Sequence, residues 1–215
     1  MKPHRALHTL VLGLAALVFA SITLAQQPLR QKLEYDLISP QPVATGERIE
    51  VVEFFWYGCP HCANLQPPLE GWLKRKPADV ELRRVPAVFR DSWIPHARIY
   101  YTLEALGEVG RLHQAVYRAI HVEKDSLMTP DAISAWASRN GIEPARWMGT
   151  YNSPEIERKV QESRKHIVAY AIEGTPSLVV DGRYLTSSSK AESMPQVITI
   201  LDGLIVMARE RRPAK

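Results

Sequence analysis

The sequence contains two cysteines, and only two residues separate them. Cys59 and Cys62 enclose Pro60 and His61, which gives the motif Cys-Pro-His-Cys. A disulfide stabilises a protein mainly by restricting the unfolded chain, and the gain grows with the length of the closed loop. A bridge that closes so short a loop adds little stability. The pair therefore indicates redox chemistry, metal binding or two accidental thiols rather than a structural bridge.

Metal binding and haem attachment fit this motif less well than redox chemistry does. A structural zinc site takes about four ligands, and the two cysteines with His61 from the same turn cannot supply them. Haem attachment requires a histidine directly after the second cysteine, but Ala63 follows Cys62. The sequence predicts no metal site and no bound cofactor, and it leaves a redox-active Cys59–Cys62 disulfide as the reacting group.

The thiolate of Cys59 is the predicted nucleophile. The apolar segment "IEVVEFFWYG" ends at Gly58, and Pro60 suits the first position of a following helix. A helix N-terminus favours an anion, and His61 adds positive potential when it is protonated. Both effects are expected to lower the pKa of Cys59 and to make the disulfide a better oxidant. Cys62, one turn inside the helix, is expected to be more buried and to resolve mixed disulfides.

The elements around the motif predict an α/β fold. "IEVVEFFWYG" and "DVELRRVPAVF" have the composition of buried strands, and a helix that runs to about Lys76 connects them, which implies parallel pairing. "PSLVVDGRYL" predicts two strands that turn at Asp181-Gly182, and "MPQVITILDGLIVMARERR" predicts a closing helix. The order is β–α–β, a helical block, then β–β–α.

The helical block covers residues 91–171. Thr129 and Ser153 are predicted N-caps because each precedes a proline that suits the first helical position. The last helix of the block is predicted to stop near Gly174. Because the block begins and ends between sheet elements, we expect it to be an insertion into the α/β domain.

The N-terminal residues 1–25 are predicted to be a cleavable signal peptide. An apolar run extends from Leu10 to Ala20, and the small residues Thr23 and Ala25 suit cleavage after Ala25. The run is too short to span a membrane, which favours a secretory signal over an anchor. No later stretch approaches about 18 apolar residues, so we expect an exported protein that is soluble after cleavage.

The charge balance gives little reason to expect nucleic acid as a partner. The formal net charge is +4, and removal of Lys2 and Arg5 with the signal peptide leaves +4 − 2 = +2. The basic tail "ARERRPAK" is most simply a solvated end of the closing helix, where positive charge complements the helix dipole.

Taken together, the strand, the CPHC motif, the inserted helices and "GTPSLVV" resemble the thioredoxin superfamily, and within it the DsbA family of exported disulfide oxidoreductases. The most specific parts are "EFFWYGCPHC" and "EGTPSLVVDG". The resemblance implies a thioredoxin-like domain in residues 26–90 and 172–215 with an all-helical insertion in residues 91–171. It also implies a strongly oxidising disulfide with a low pKa at the first cysteine.

The resemblance further implies roles for residues outside the motif. Thr175-Pro176 is expected to form a cis peptide bond beside the cysteines, with the Thr175 backbone free to pair with a substrate strand. Glu53 is expected to be buried near Cys62 and to help proton transfer, although a solvated position at the sheet edge is the alternative. Trp56 is expected to contact unfolded substrates or to belong to the core. Four histidines are interpreted as surface or satisfied core residues, namely His96, His113, His121 and His166.

The predicted function is that of a periplasmic thiol:disulfide oxidase that forms a mixed disulfide with its substrate at Cys59. Its expected partners are reduced or unfolded exported proteins and a membrane quinone-linked re-oxidase of the DsbB type, and we expect a monomer. An isomerase or reductase is the first alternative, since Thr175 before the proline also occurs in isomerases. Exported isomerases of this type add an N-terminal dimerisation domain, for which about 25 residues leave too little room. A chaperone-like binder with incidental thiols is the second alternative.

Overall fold

The structure is a computed structural model that describes residues 28–212. The predicted signal peptide therefore lies outside the described residues. A single sheet of five strands, in the order β1-β5-β4-β2-β3, forms the centre of the fold. The strands are β1 (Asp36–Leu37), β2 (Ile49–Phe55), β3 (Val80–Pro86), β4 (Ser177–Val180) and β5 (Tyr184–Ser187). The edge strand β1 pairs with β5 and was not predicted from the sequence.

Strand β2 lies inside the sheet and leads directly to the cysteine motif. It pairs with β3 in parallel and with β4 in antiparallel orientation. All seven of its residues are buried, because helices or loops cover both faces of the sheet, and this accounts for its nearly continuous apolar sequence. The predicted parallel crossover from β2 to β3 is confirmed.

Helix α1 (Pro60–Leu73) makes this crossover and starts at the motif. Cys59 is its N-cap residue with an extended backbone, and Pro60 occupies the first helical position, where its missing N–H costs no helical hydrogen bond. The helix ends at Leu73 rather than near Lys76. Lys76 precedes Pro77, and a residue before proline is disfavoured in the helical conformation.

The hairpin at the end of the sheet also agrees with the prediction. Strands β4 and β5 are antiparallel, and the turn between them places Asp181 at φ +51° and Gly182 at φ +63°. Gly182 allows a close approach, since a Cβ there would come within 2.3 Å of the backbone oxygen of Gln41. The turn therefore requires glycine for both its conformation and its packing.

Between β3 and β4 the described chain is helical, as predicted. The helices are α2 (Ile94–Ala105), α3 (Val109–His121), α4 (Pro130–Arg139), α5 (Pro144–Tyr151) and α6 (Pro154–Ala169). The side chains of Thr129 and Ser153 cap α4 and α6. Helix α6 ends five residues before the predicted Gly174, because Ala171 adopts a left-handed conformation (φ +51°) that terminates the helix.

Three clusters of buried side chains hold these layers together. Helices α1 and α7 (Met194–Arg211) cover one face of the sheet, where Leu65, Trp72 and Leu201 pack together. On the other face Phe54 packs against Tyr170, which follows α6. Among the helices that the structure describes, none is long and apolar enough to cross a membrane.

The third cluster joins the helical block to the end of the sheet that carries the cysteines. It combines Phe55, Tyr57 and both cysteines with apolar side chains of α2, α3, α4 and α5. The reactive pair therefore lies at the junction between the sheet and the helical block, so both parts of the fold contribute to its environment.

Candidate active site

Cys59 lies where β2 ends and α1 begins, against the loop before β4. The side chain is 8% exposed, and its Sγ lies 3.3 Å from the carbonyl oxygen of Thr175, to which the thiol donates. The chain just before Cys59 packs closely against the ring of Trp56. Position 58 requires glycine, because a Cβ at Gly58 would lie 2.3 Å from that ring. The two thiols are free in this structure, which represents the reduced protein.

The environments of the two thiols move their pKa values in opposite directions. The pKa of Cys59 is lowered to about 5, chiefly by a hydrogen bond with the Cys62 side chain and further by hydrogen bonds with the Thr175 side chain and with the backbone N–H groups of Cys62 and His61, while burial opposes this shift. Burial raises the pKa of Cys62 well above its ordinary value. At neutral pH the pair therefore consists of a thiolate at Cys59 and a thiol at Cys62.

His61 and Pro60, the residues between the cysteines, are both exposed. The strongest effects on the pKa of Cys59 come from Cys62, from Thr175 and from backbone groups at the start of the helix rather than from the His61 imidazole. The expected influence of the helix N-terminus thus has a structural basis in these N–H groups. A direct contribution of the His61 side chain stays a prediction.

The peptide bond between Thr175 and Pro176 is cis. Pro176 is buried and Thr175 is partly exposed, and Ser177 begins β4 directly after them. The side chain of Ser177 donates to the carbonyl oxygen of Gly174 at 2.8 Å, which closes the loop on itself. The loop presents the Thr175 backbone to the sulfur of Cys59.

Glu53 is fully buried in the interior of β2, so the alternative of a solvated edge position is wrong. Its carboxylate accepts hydrogen bonds from Arg84 Nε at 2.9 Å and from Gln66 Nε2 at 2.9 Å. Gln66 Nε2 also lies 3.5 Å from the carbonyl oxygen of Cys62. A hydrogen-bonded path therefore connects the carboxylate with the backbone of the second cysteine.

The sequence reasoning did not identify Arg84 and Gln66. Gln66 is 1% exposed and accepts a hydrogen bond from Gln114 of α3 at 3.1 Å. Arg84 also contacts Glu70 at 3.0 Å. A signal for Arg84 was present, since two arginines in a predicted buried strand require acidic partners, and the adjacent predicted strand contains Glu50 and Glu53. No sequence pattern distinguishes Gln66 from the other polar residues of α1.

Trp56 is partly buried beside the motif and stacks on Trp93, with ring centroids 4.0 Å apart and planes at 3°. Phe89, which is 37% exposed, packs edge-on against Trp93. Trp56 is thus neither a pure core residue nor freely exposed. It forms one side of an aromatic group next to the reactive sulfur.

The interpretation of the four histidines of the helical block as surface or satisfied core residues is only partly right, because one ring nitrogen each of His96, His113 and His166 is buried without a hydrogen-bond partner among the described residues. His96 lies 2.8 Å from the carbonyl oxygen of Ser126. His113 is buried and lies 2.8 Å from the hydroxyl of Tyr57, and burial holds its pKa well below the ordinary value. His121 lies 2.7 Å from the carbonyl oxygen of Tyr57. The last two support the chain just before Cys59.

Metal-ligating side chains do not come together in the part of the chain that the structure describes. Within residues 28–212 there is no group of three or more histidine, cysteine, aspartate or glutamate side chains that could hold a metal ion. The chemistry that the site can carry out with its own residues is thiol–disulfide exchange, with an acidic thiol, a resolving thiol and a buried carboxylate.

Comparison with known protein families identifies this arrangement. The family model described as a DSBA-like thioredoxin domain matches residues 84–199. The thiol:disulfide interchange protein DsbA of Burkholderia cepacia is 38% identical over 175 residues, which are 81% of this chain and 82% of the relative. DsbA of Pseudomonas aeruginosa is 36% identical over 207 residues, covering 96% of this chain and 97% of that protein.

Solved structures show the same similarity in three dimensions. The crystal structure of Pseudomonas aeruginosa DsbA superposes with a TM-score of 0.81 at 36% identity, covering 85% of this chain and 95% of that one. Oxidoreductase DsbA from Xylella fastidiosa gives a TM-score of 0.76 at 34% identity, covering 82% and 96%. The predicted thioredoxin-like fold with a helical insertion is confirmed. The chain therefore belongs to the DsbA family and is a thiol:disulfide oxidoreductase.

Proposed function

We propose that this oxidoreductase works as a disulfide donor, that is, as an oxidase of reduced proteins. The observation that carries the proposal is the opposite perturbation of the two thiols, with the pKa of Cys59 near 5 and that of Cys62 raised. A stabilised thiolate favours the reduced form, so the disulfide is easily reduced. Relative to an ordinary thiol, the gain at pH 7 is about two decades, which corresponds to about 60 mV toward an oxidising potential.

The reaction begins when a substrate thiolate attacks Sγ of Cys59 in the oxidised protein. A bond forms between the two sulfurs, the Cys59–Cys62 bond breaks, and Cys62 leaves as a thiolate that takes up one proton, which is balanced when the second substrate thiol gives up its proton to become the next nucleophile. A second substrate thiolate then attacks the substrate sulfur of the mixed disulfide. Cys59 leaves as a stabilised thiolate, and the substrate has lost two electrons to the protein, which is now reduced, with a thiolate at Cys59 and a thiol at Cys62.

Glu53 and Gln66 are proposed to assist the proton transfer at Cys62. Because burial raises the pKa of Cys62, a thiolate at that position must be protonated quickly as it leaves. The carboxylate of Glu53 reaches the backbone of Cys62 through Gln66. Because Gln66 Nε2 donates to both oxygens, Gln66 does not pass a proton itself, and its proposed role is to hold the Glu53 carboxylate on the side of α1 that carries Cys62.

Thr175, Pro176 and Trp56 are proposed to contact the substrate. The Thr175 backbone faces the reactive sulfur and can pair with an extended chain as an added strand. The aromatic surface of Trp56 and Trp93 lies beside it. Contacts of this kind hold the substrate cysteine at Cys59 while exchange takes place.

The cellular setting is part of the same proposal. The N-terminal pattern of a signal peptide supports export to the periplasm, where disulfides form and persist. Substrates are then newly exported proteins with reduced cysteines, and a quinone-linked membrane protein of the DsbB type returns the dithiol to the disulfide. We propose that the protein acts as a monomer.

Equilibration of the purified protein with glutathione buffers tests the oxidase assignment. A protein that is mostly reduced at mildly oxidising ratios of glutathione to its disulfide has the expected oxidising potential. A Cys59–Cys62 disulfide that persists until the buffer is strongly reducing assigns a reductase instead. A variant with serine at both cysteines tests the second alternative, because a chaperone-like binder keeps its activity without the thiols.

A further inference from the structure

Helix α3 presents a row of three side chains to the segment that leads from β2 to the reactive cysteine. His113, Tyr117 and His121 are spaced four residues apart, so they lie on one face of the helix. Nδ1 of His113 lies 2.8 Å from the hydroxyl oxygen of Tyr57, and Nε2 of His121 donates to the carbonyl oxygen of Tyr57 at 2.7 Å. The two ends of the row therefore hold the chain two residues before Cys59.

Tyr117, in the middle of the row, contacts the same segment through its ring but leaves its hydroxyl unpaired. The side chain is 4% exposed, and its ring lies edge-on to that of Tyr57 with the centroids 5.0 Å apart. The hydroxyl oxygen is buried and has no hydrogen-bond partner among residues 28–212. Because an unpaired buried hydroxyl lowers the stability of a folded protein, packing alone does not account for a tyrosine rather than a phenylalanine at this position.

The electrostatic environment of Tyr117 connects its hydroxyl with Cys62. Both residues belong to the buried cluster that joins the helical block to the sheet. Burial raises the pKa of Tyr117, and a negative charge on Cys62 is the next largest cause of that shift, ahead of the charge of Glu53. His113 also has an unpaired buried ring nitrogen, but its pKa responds to burial and to Arg84. Of the two unpaired groups in the row, the Tyr117 hydroxyl is therefore the one that responds to a charge on Cys62.

Cys62 requires a hydrogen-bond donor chiefly during the exchange step. Its sulfur is uncharged in the disulfide and in the thiol, but it carries negative charge while the Cys59–Cys62 bond breaks or forms. Burial raises the pKa of Cys62 and outweighs the hydrogen bonds with the Trp56 backbone and the Thr175 side chain that favour the charged form. A further donor that is already in place, and that has no other partner, stabilises the charge without giving up an existing hydrogen bond.

We propose that Tyr117 is a further catalytic residue of the exchange reaction, and that its hydroxyl donates a hydrogen bond to the Cys62 sulfur while that sulfur carries negative charge. The inference rests on the proposed role of Cys62 as the leaving group. The hydroxyl keeps its own proton, so it acts beside Glu53, which is proposed to assist the proton transfer that follows. Closure of the disulfide passes through the same charged state, so the hydroxyl speeds both directions of the reaction and leaves its equilibrium unchanged.

Tyr117→Phe removes the hydroxyl and keeps the ring, and Tyr101→Phe is the matched control. Tyr101 is a buried tyrosine of α2 whose hydroxyl is paired with Ser163 at 2.6 Å. Stopped flow measures the rate at which dithiothreitol, a small thiol that does not depend on peptide contacts, reduces each oxidised protein. Tyr117→Phe is expected to react about tenfold more slowly than the wild type, because a hydrogen bond to a charged sulfur is lost. Tyr101→Phe is expected to keep the wild-type rate.

Two further measurements separate this role from a structural one. The glutathione equilibrium of Tyr117→Phe is expected to stay within about twofold of the wild type, because neither end state carries a charge on Cys62. Its urea midpoint is expected to be unchanged or raised, whereas that of Tyr101→Phe falls because Ser163 loses its partner. A wild-type rate in Tyr117→Phe, or a slower rate together with a shifted equilibrium or a lowered midpoint, would overturn the proposal. A wild-type disulfide that persists in strongly reducing glutathione would instead remove the oxidase function and leave the test of Tyr117 intact.

Discussion

Two buried ion pairs connect the same two strands but lie in different surroundings. Glu50 and Glu53 are both fully buried on β2, and arginines of β3 pair with them, Arg83 with Glu50 at 3.0 Å and Arg84 with Glu53 at 2.9 Å. Residues 50 and 53 are an odd number apart, so they point to opposite faces of the sheet. An ion pair between a buried glutamate and an arginine is therefore present on both faces of the sheet, with Glu53 on the face toward α1 and Glu50 on the opposite face.

The two carboxylates differ in the second group that donates a hydrogen bond to each of them. Glu50 accepts a hydrogen bond from the backbone N–H of Ala44 at 3.3 Å, which anchors the segment before β2. Glu53 instead accepts from Gln66, which continues to Cys62. Glu50, which is equally buried and paired with an arginine but has Ala44 as its further donor, is therefore the matched internal control for every experiment on Glu53.

The largest effect is expected on the free energy of unfolding when either arginine is replaced, and the loss is expected to differ between Arg83 and Arg84. Arg84→Ala leaves the Glu53 carboxylate buried without its ionic partner, which is expected to reduce the free energy of unfolding by about 3–5 kcal/mol. Arg83 is more exposed than Arg84, at 28% against 12% of the side chain. Its removal lets water reach Glu50, so Arg83→Ala is expected to cost about 1–3 kcal/mol. Urea unfolding of the oxidised variants measures both values.

A double variant checks the cause of the Arg84 effect. Glu53→Leu/Arg84→Met removes both charges and is expected to recover most of the stability that Arg84→Ala loses, since the unpaired buried charge is gone. If the double variant is as unstable as the single one, packing rather than charge explains the loss.

The next largest difference between the two carboxylates is expected in the rate of thiol–disulfide exchange. Glu53→Gln removes the group proposed to assist proton transfer at Cys62, so the rate of reduction by a peptide thiol is expected to fall by about tenfold or more. Glu50→Gln is expected to stay within about twofold of the wild type. Equal rates for the two variants would show that neither carboxylate takes part in proton transfer.

Replacement of Gln66 tests the hydrogen-bonded connection between Glu53 and Cys62, and a smaller effect on the exchange rate is expected. Gln66→Met keeps the size of the side chain but breaks the contacts with Glu53 and Cys62, and the exchange rate is expected to fall by about three- to fivefold. Gln161→Met on the exposed face of α6 is the control and is expected to leave the rate unchanged. A Gln66 variant with the wild-type rate and pH profile would remove Gln66 from the proton path.

The sequence predicted the parts of this site that depend on local chemistry. The strand before Cys59, the proline at the first position of α1 and the turn at Asp181-Gly182 all follow from local patterns, and the structure contains each of them. Such signals are readable because they are contiguous in the chain.

The parts that the sequence did not reveal depend on contacts between distant segments. Gln114 of α3 meets Gln66 of α1 across 48 positions, and no local pattern specifies that contact. The partners of Glu50 and Glu53 required the register of β3, which pairs Glu53 with Arg84. Strand β1 was missed because two residues carry too little periodicity to indicate a strand.

The smallest effect is expected on the pKa of Cys59, because neither carboxylate contacts that residue. This measurement is also the most discriminating test of the comparison between Glu50 and Glu53. The thiolate absorbance of the reduced protein is expected to titrate with a midpoint near 5, and Glu50→Gln and Glu53→Gln are each expected to move it by less than about half a pH unit. The pKa in the folded protein lies below the unfolded value of about 8.5. The thiolate therefore stabilises the reduced protein fully above that value, and this stability is lost as the pH falls through 5. The oxidised protein has no such group, so the difference between the two forms in urea unfolding is expected to follow the same pH range. If the midpoint shifts in Glu53→Gln alone, the carboxylate of Glu53 acts on the thiolate of Cys59 as well as on Cys62. The two ion pairs would then differ in their effect on both cysteines and not only in the contact between Glu53 and Gln66.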